Sequence, residues 1–277
     1  MRSAFATALG LLFSLQAWPA SFDCLIEPAQ AVELGSSVVG LLEKVHVRRG
    51  DRVARGQVLA TLESRAEQAA AELARYKSQA SGPTVSAQNK IEFSGRKFQR
   101  RAQMAVEKLM SAQDRDDAEV DLKLAEAELQ VAKENRDIAR IEYEQQSSLL
   151  ERRSLRSPFD GVVVDQVLYP GEIVEPTGSK KTILKLAQLD PLRVHVILPM
   201  AVFRRIAPGM SARVSLEAPI GGSYAAKVKT VDKLIDAASG TFAVFLEMRN
   251  PDLSVPAGVK CKAEFPIATE SGAGQVK

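Results

Sequence analysis

Cysteine and histidine are the residues of this sequence that could perform chemistry, because they form disulfides, bind metals and act as nucleophiles or bases. The chain has two of each: Cys24 and Cys261 near its ends, and His46 and His195 between them. In an oxidising compartment the cysteines can close a disulfide; the alternatives are two buried small apolar residues, or a lipid on Cys24. Each histidine stands between two valines of an alternating segment, so we expect it on the solvent face of a strand.

No other set of residues forms a catalytic or metal-binding constellation. The interior methionines are scattered rather than clustered, which indicates packing in a core or at an exposed turn: Met104, Met110, Met200 and Met210. There is no Ser/His/Asp or Cys/His arrangement and no paired carboxylates at catalytic spacing. The sequence therefore predicts a protein that is not an enzyme and that carries no cofactor and no metal.

Composition narrows the class of partner. The 277 residues have a formal net charge of +3, 45% hydrophobic residues and only 5% aromatic residues. No basic block is interleaved with aromatic residues, so we predict no nucleic-acid binding. The low aromatic content is typical of slim, elongated parts rather than one large core.

The first twenty residues have the pattern of an export signal. Arg2 provides a short basic region, 4–17 are mostly apolar, and Ala20 offers a small residue for cleavage. The apolar run is too short for a comfortable membrane span of about 20 residues. We therefore expect 1–20 to be a signal peptide and the mature protein to be exported.

Two short segments of the chain resemble each other. Residues 36–62 and 157–186 share turn and alternation patterns at an offset of 121, which aligns Gly40 with Gly161 and Gly50 with Gly171. Matched glycines indicate matched backbone geometry, since glycine is favoured where a strand bends or φ is positive. We interpret 35–62 and 153–188 as duplicated halves of one β domain.

A polar, heptad-patterned run, 63–152, separates the two halves. Apolar residues, many of them alanine, recur in alternating three- and four-residue steps on both sides of a turn predicted at 108–110. This predicts a long antiparallel helical hairpin in which facing residue numbers sum to about 218. Gly82-Pro83 falls opposite Arg136 in that register, and we expect a kink there.

The predicted turn carries apolar residues in an exposed position. Val106, Leu109 and Met110 lie at the turn, and Ser111 is suited to cap the second helix with Asp114 three residues later. An apolar tip on a projecting rod indicates end-on docking with a partner.

Beyond the second half, alternating strands separated by Gly, Pro and Asn turns predict a small antiparallel β-barrel over 189–267. We expect 21–34 to add an N-terminal strand to this barrel. Pairing of that strand beside the one with Cys261 would bring Cys24 within bonding range. Residues 268–277 are expected to form a flexible tail.

Together these motifs resemble the periplasmic adaptor, or membrane fusion protein, family (HlyD-like, including efflux adaptors that serve RND pumps). The resemblance rests on Gly50-Asp51-x-Val53-x-x-Gly56-Gln57-Val58-Leu59, on Ser157-Pro158-Phe159-Asp160-Gly161-Val162-Val163 and, more weakly, on Pro208-Gly209-Met210. It implies an elongated α+β fold: lipoyl-like halves split by a coiled-coil hairpin, plus the barrel. A carrier domain is disfavoured because the lysine-bearing turn is absent.

The resemblance also implies a function. The family's Arg-x3-Leu-x6-Ser tip motif matches Arg100, Met104 and Ser111, with methionine in place of leucine. The protein is then expected to bridge an inner-membrane efflux transporter and a TolC-like outer-membrane channel. The transporter class (RND, ABC or another) stays open, and the family resemblance favours RND. The protein would form this bridge as a ring of six copies in the periplasm, associated with the inner membrane through its transporter. The alternative is a periplasmic coiled-coil scaffold without a role in transport.

Overall fold

The computed structural model describes residues 19–268. Most of the expected signal peptide, 1–20, lies outside the described residues, and only Pro19 and Ala20 fall within them. The expected tail, 268–277, likewise lies outside them apart from Ala268.

Twelve strands and three α-helices make up the described chain. The strands are β1 Pro19–Leu34, β2 Gly40–Val45, β3 Arg52–Val53, β4 Val58–Leu62, β5 Ser154–Arg156, β6 Gly161–Gln166, β7 Ile173–Val174, β8 Leu184–Pro199, β9 Ser211–Leu216, β10 Ser223–Val231, β11 Thr241–Met248 and β12 Lys260–Ala268. The helices are α1 Arg65–Gln79, α2 Gly82–Val106 and α3 Ala112–Glu151, and a short 3₁₀ helix spans Met200–Arg205.

Six strands close a β-barrel. They follow the order β1-β12-β9-β10-β11-β8, and β1 pairs with β8 to complete the circle. All of these neighbours are antiparallel, as alternating strands joined by tight turns require. The inward residues alternate along each strand and form a fully buried core, which includes Val194, Val244, Leu246 and Phe265. The predicted barrel is confirmed.

The long strands β1 and β8 leave the barrel together. Their pairing runs from Cys24 opposite Val196 to Leu34 opposite Leu184, with an irregularity between Pro28 and Gln30. On its other side β1 pairs with β12, which sets Cys24 directly opposite Cys261. The two buried cysteines are joined by a disulfide in the structure.

The two sequence-related segments have the same backbone geometry. β2 and β6 begin at Gly40 and Gly161, at the offset of 121 expected from the sequence. Gly50 and Gly171 adopt φ values of +92° and +94°, which only glycine adopts without strain. In each turn the acidic residue after the glycine accepts a hydrogen bond from the backbone amide three residues earlier. The matched backbone geometry predicted for the two halves is confirmed.

The two halves interlock rather than stand side by side. β2 of the first half pairs with β7 of the second, and β3 of the first pairs with β6 of the second. A second core lies between them, in which Leu42, Leu59, Val174 and Ile183 are fully buried. Because β6 also pairs with β8, this domain and the barrel share one continuous sheet.

The three helices, α1 to α3, lie between the two halves in the chain and together form the helical arm. α1 and α2 are consecutive pieces that both pack against α3. The break at Ala80 and Ser81 lies just before Gly82-Pro83, so the expected interruption is confirmed. It arises because proline is accepted in the first turn of a helix but not in its interior.

Ion pairs establish that α3 runs antiparallel to α2. Lys90 contacts Glu128 and Lys97 contacts Asp121, and both pairs of residue numbers sum to 218, the predicted register. The contact surface is built mostly from alanine: Ala71, Ala74 and Ala87 on the first side, and Ala118, Ala125 and Ala132 on α3. No helix within 19–268 combines the length and hydropathy needed to cross a bilayer.

Candidate partner-binding tip of the helical arm

The turn between α2 and α3 begins with a Schellman ending of α2. Lys108 adopts the left-handed conformation, with φ of +60°. The Lys108 amide donates to the carbonyl of Ala105, and the Leu109 amide donates to the carbonyl of Met104 at 2.8 Å. These two bonds satisfy carbonyls that the helix end would otherwise leave unpaired. Glycine usually occupies this position, so the sequence contains no signal for the motif.

Ser111 begins α3 as its N-cap. Its hydroxyl accepts a hydrogen bond from the Asp114 amide at 3.1 Å and donates to the Asp114 carboxylate. A serine oxygen here pairs one of the free amides of the first turn, and the carboxylate lies at the positive end of the helix dipole. The predicted cap is confirmed. The hydroxyl is therefore already engaged within the chain.

The tip displays apolar side chains to solvent. Val106 is 84% exposed, Leu109 is 67% exposed and Met104 is 39% exposed. Met110 is half-buried. Burial of a whole aliphatic side chain is worth about 1.5–3 kcal/mol, so covering this tip would contribute favourably to binding a partner.

The expected tip residues divide into two groups. Val106, Leu109, Met110 and Ser111 all belong to the turn or its edges. Arg100 and Met104 lie farther down α2, one helical turn apart and therefore on a common side of it. Arg100 also lines a shallow groove with Arg96, Gln99 and Gln103, which makes this side of α2 polar and basic.

Side-chain and backbone contacts hold the two helices together just behind the tip. Arg101 donates to the carbonyl of Asp114, and Lys97 donates to the Asp121 carboxylate at 2.7 Å. The hydrogen bond and positive charge of Lys97 lower the pKa of Asp121. This bracing presents the apolar turn on a rigid support.

A second apolar surface on the arm was not predicted. Besides its inner seam, α3 has an outward stripe at steps of three, four and seven residues: Val120, Leu124, Ala127, Val131, Ile138 and Ile141. Its large members are each more than half exposed. Phe93 of α2 joins Leu124 and Val131 in lining a groove between the two helices. The same heptad spacing that identified the inner seam could have identified this stripe.

Within the described residues, no group of three or more His, Cys, Asp or Glu side chains is placed to hold a metal ion. His46 is exposed, and its Nε2 lies 3.5 Å from the Thr61 hydroxyl. His195 stacks on Phe245, with ring centroids 4.8 Å apart, and its Nδ1 lies 3.7 Å from Glu27. His195 lies in β8 as expected, whereas His46 lies just after the end of β2 rather than within a strand.

Residues 30–188 match the family of CzcB-like barrel-sandwich hybrid domains. That match includes both duplicated halves and all three helices.

Two relatives are named as export proteins. The macrolide export protein MacA of Yersinia pestis is 25% identical over 232 residues, which span 82% of this chain and 62% of the relative. The pyoverdine export membrane fusion protein PvdR of Pseudomonas aeruginosa is 22% identical over 207 residues, 74% of this chain and 53% of the relative. The chain thus spans less than two thirds of the length of these two relatives.

The fold also matches a solved structure. MacA from Actinobacillus actinomycetemcomitans superimposes with a TM-score of 0.71 at 21% identity, covering 89% of this chain and 78% of that one. Domain match, relatives and fold agree, and the chain belongs to the family of membrane fusion, or adaptor, proteins that carry a CzcB-like barrel-sandwich hybrid domain.

Proposed function

We propose that this protein is a non-enzymatic adaptor of an export system, which links an inner-membrane transporter to a TolC-like outer-membrane channel. The observation that carries the proposal is the exposed apolar turn at Val106 and Leu109, at the end of the braced helices. At about 1.5 Å per residue, the 40 residues of α3 extend roughly 60 Å from the β domains. That length suits a contact with a distant partner.

The proposal assigns one role to each part of the chain. The lipoyl-like halves, 35–62 and 153–188, are the mount of the arm, and the helices of 63–152 form a coiled-coil hairpin that reaches outward. The barrel, 189–267 with the strand of 21–34, is assigned to the transporter side. Arg100, Met104, Val106, Leu109, Met110 and Ser111 form the channel contact, in which Ser111 acts by shaping the turn.

The names of the relatives indicate export but identify no transporter class. Two relatives are named for macrolide export and for pyoverdine export, which supports export of a small molecule. We propose an RND transporter as the partner, as the sequence resemblance suggested. The site of action is the periplasm, reached through the signal segment 1–20 and associated with the inner membrane through the transporter.

We further propose a homo-oligomer of six copies. The outward stripe of α3 is a helix-pairing pattern that no other helix of the described chain covers. α3 carries twelve acidic and five basic side chains, whereas α2 carries five basic and one acidic. Like charges disfavour pairing of two α3 stripes, so α3 of one copy should meet the basic side of α2 of the next. Such a head-to-tail contact forms a ring when its rotation closes, and the number of six copies is taken from the family resemblance.

A periplasmic coiled-coil scaffold without transport is the competing function. Chemical crosslinking in living cells, followed by purification of the adaptor and mass spectrometry, separates the two. We expect an inner-membrane transporter and an outer-membrane channel to be captured together. Capture of neither, with the adaptor present at normal levels in the periplasmic fraction, would support the scaffold instead. As a control, a variant with Val106→Glu and Leu109→Glu should retain the transporter and lose the channel.

A further inference from the structure

The place where the arm joins the mount contains an unusual arginine. Arg153 lies between the end of α3 at Glu151 and the start of β5. Its guanidinium bonds to the carboxylate of Glu67, in the first turn of α1, and donates to the carbonyl of Val39 at 3.0 Å. These partners are 86 and 114 residues away along the chain. One side chain therefore ties both ends of the arm to the strand region that supports them.

The ion pair is sheltered from solvent. The side chains of Arg153 and Glu67 are each 22% exposed, unlike most ion pairs along the arm, which are about half exposed. A hydrogen bond from its own backbone amide and then the contact with Arg153 lower the pKa of Glu67. An arginine fork that meets a carboxylate and a carbonyl at once fixes direction as well as distance.

The backbone of Arg153 adds to this connection. Its carbonyl accepts a hydrogen bond from the Leu62 amide at 2.8 Å, and its amide donates to the Leu150 carbonyl at 3.0 Å. Leu62 is the last residue of β4, and Leu150 belongs to the last turn of α3. The residue is thus bonded to the mount and the arm through both its backbone and its side chain.

Gly40 leaves the space that the guanidinium occupies. A Cβ atom at this position would lie 2.7 Å from the Arg153 Nη1 and 3.2 Å from the Leu62 side chain. The φ of Gly40 is not in the left-handed region, so close approach rather than backbone conformation explains the glycine. Gly40, first interpreted from the sequence as the mark of a strand bend, therefore also leaves the space that the Arg153 guanidinium occupies.

We infer that Arg153 is a positioning residue that sets the direction in which the helical arm leaves the mount. A small change in direction has a large effect at the far end of the arm: a tilt of about 10° at the base moves the end of a 60 Å rod by roughly 10 Å. A displacement of that size would carry the tip away from any fixed partner. Only this consequence for a partner rests on the proposed function; the role of Arg153 in orienting the arm does not.

The test measures arm direction without any partner. Spin labels are placed at Lys44→Cys on β2 and Glu126→Cys on α3, both exposed positions, while the native cysteines stay in their disulfide. Pulsed electron-spin resonance then reports the distance between the labels. In Arg153→Ala we expect the distance distribution to broaden by up to roughly 6 Å, the displacement that a 10° tilt causes at residue 126.

Two milder variants at the same contact distinguish a loss of arm direction from misfolding of Arg153→Ala. Gly40→Ala keeps every charge but displaces the guanidinium, and Glu67→Gln removes only the carboxylate charge; both should broaden the distribution. Lys97→Ala removes an ion pair within the arm and should leave the distribution unchanged. An unchanged distribution in folded Arg153→Ala and Gly40→Ala proteins would overturn the inference. A purely stabilising role would lower the melting temperature without broadening the distribution.

A failure of the proposed function would appear in channel binding rather than in the label distances. If the wild-type protein binds no channel, the adaptor proposal fails, yet the label distances still decide the role of Arg153. If the wild-type protein binds the channel, and Arg153→Ala both weakens that binding and broadens the distribution of label distances, both proposals are supported.

Discussion

The barrel and the helical arm bury their apolar residues in opposite ways. Barrel strands turn large aliphatic and aromatic side chains inward, and many of these are fully buried. The arm buries mainly alanine, while its larger apolar residues, such as Phe93, Leu124 and Val131, face solvent. We therefore expect the barrel to be the more stable of the two regions, since burial of large side chains is the main favourable term in folding.

The difference suggests a division of labour. A small-residue seam lets two helices approach closely but leaves most of their surface available, so the arm keeps its tip and its outward stripe for other molecules. The barrel leaves few such surfaces, and a disulfide joins its neighbouring strands β1 and β12. Under the proposed function, we expect stability to reside mainly in the barrel and recognition of partners mainly in the arm.

The largest expected effect is on the barrel core. Phe265 is fully buried and packs against Phe22, with ring centroids 6.1 Å apart. Phe265→Ala should reduce the free energy of unfolding by about 3–5 kcal/mol through lost burial and the cavity left behind. The matched arm variant Leu124→Ala should change it by less than about 0.5 kcal/mol. Urea unfolding followed by circular dichroism measures both, and equal effects would remove the contrast between the two regions.

Loss of the disulfide should have the next largest effect. Cys24 and Cys261 close a loop of the chain with a separation of 237 residues. Replacing both cysteines by alanine should lower the unfolding free energy of the barrel by about 2–4 kcal/mol. Hydrogen exchange should show faster exchange in β1 and β12 but not in α3. Mass analysis of the wild-type protein with and without reductant provides the control, and two free thiols would disprove the bridge.

Overpacking the arm seam should cost less and stay local. Ala125 is fully buried against the facing helix, and Ala125→Leu forces the two helices apart. We expect a loss of about 1–3 kcal/mol, detected as faster hydrogen exchange in α2 and α3. Ala127→Leu, two residues farther on the exposed side, should leave exchange unchanged. Barrel amides that respond as strongly as the arm would show that the two regions are coupled.

The smallest expected effect is a loss of hydrogen-exchange protection in the helices at low pH. The contact with Lys97 lowers the pKa of Asp121 from its ordinary value of 3.8. A carboxylate whose folded pKa is lowered stabilises the fold above its unfolded pKa, and that contribution disappears as pH falls through the folded value. Protection of the helical amides behind the tip from hydrogen exchange should therefore decrease below about pH 4 and stay constant from pH 5 to 8. Asp121→Asn should flatten this pH dependence.

Periodic and local features were predictable from the sequence. The offset of 121 between the halves, the register sum of 218 and the cap at Ser111 all follow from spacing or from a residue's own hydrogen-bonding chemistry. The helix break before Gly82-Pro83 follows in the same way, because proline lacks an amide for the helix interior.

Apart from the pairing of the strands that carry Cys24 and Cys261, contacts between distant parts of the chain were not predictable in this way. Nothing in the residue pattern states that β2 pairs with β7, or that Arg153 meets Val39, since side-chain choice at one site does not identify its partner. The left-handed Lys108 was also missed, because its usual marker is glycine. The outward stripe on α3 was visible in the sequence but overshadowed by the stronger alanine seam.

The central claim is that the apolar turn at the end of the arm binds an outer-membrane channel. It is tested most directly by measuring the affinity of the purified protein for a purified TolC-like channel. The double variant Val106→Glu and Leu109→Glu is compared with Leu234→Glu, a leucine on the barrel that is as exposed as Val106, at 84%. We predict that the tip variant loses about tenfold or more in affinity, equivalent to about 1.4 kcal/mol or more, while Leu234→Glu binds like the wild type. Equal affinity of all three proteins would contradict the account.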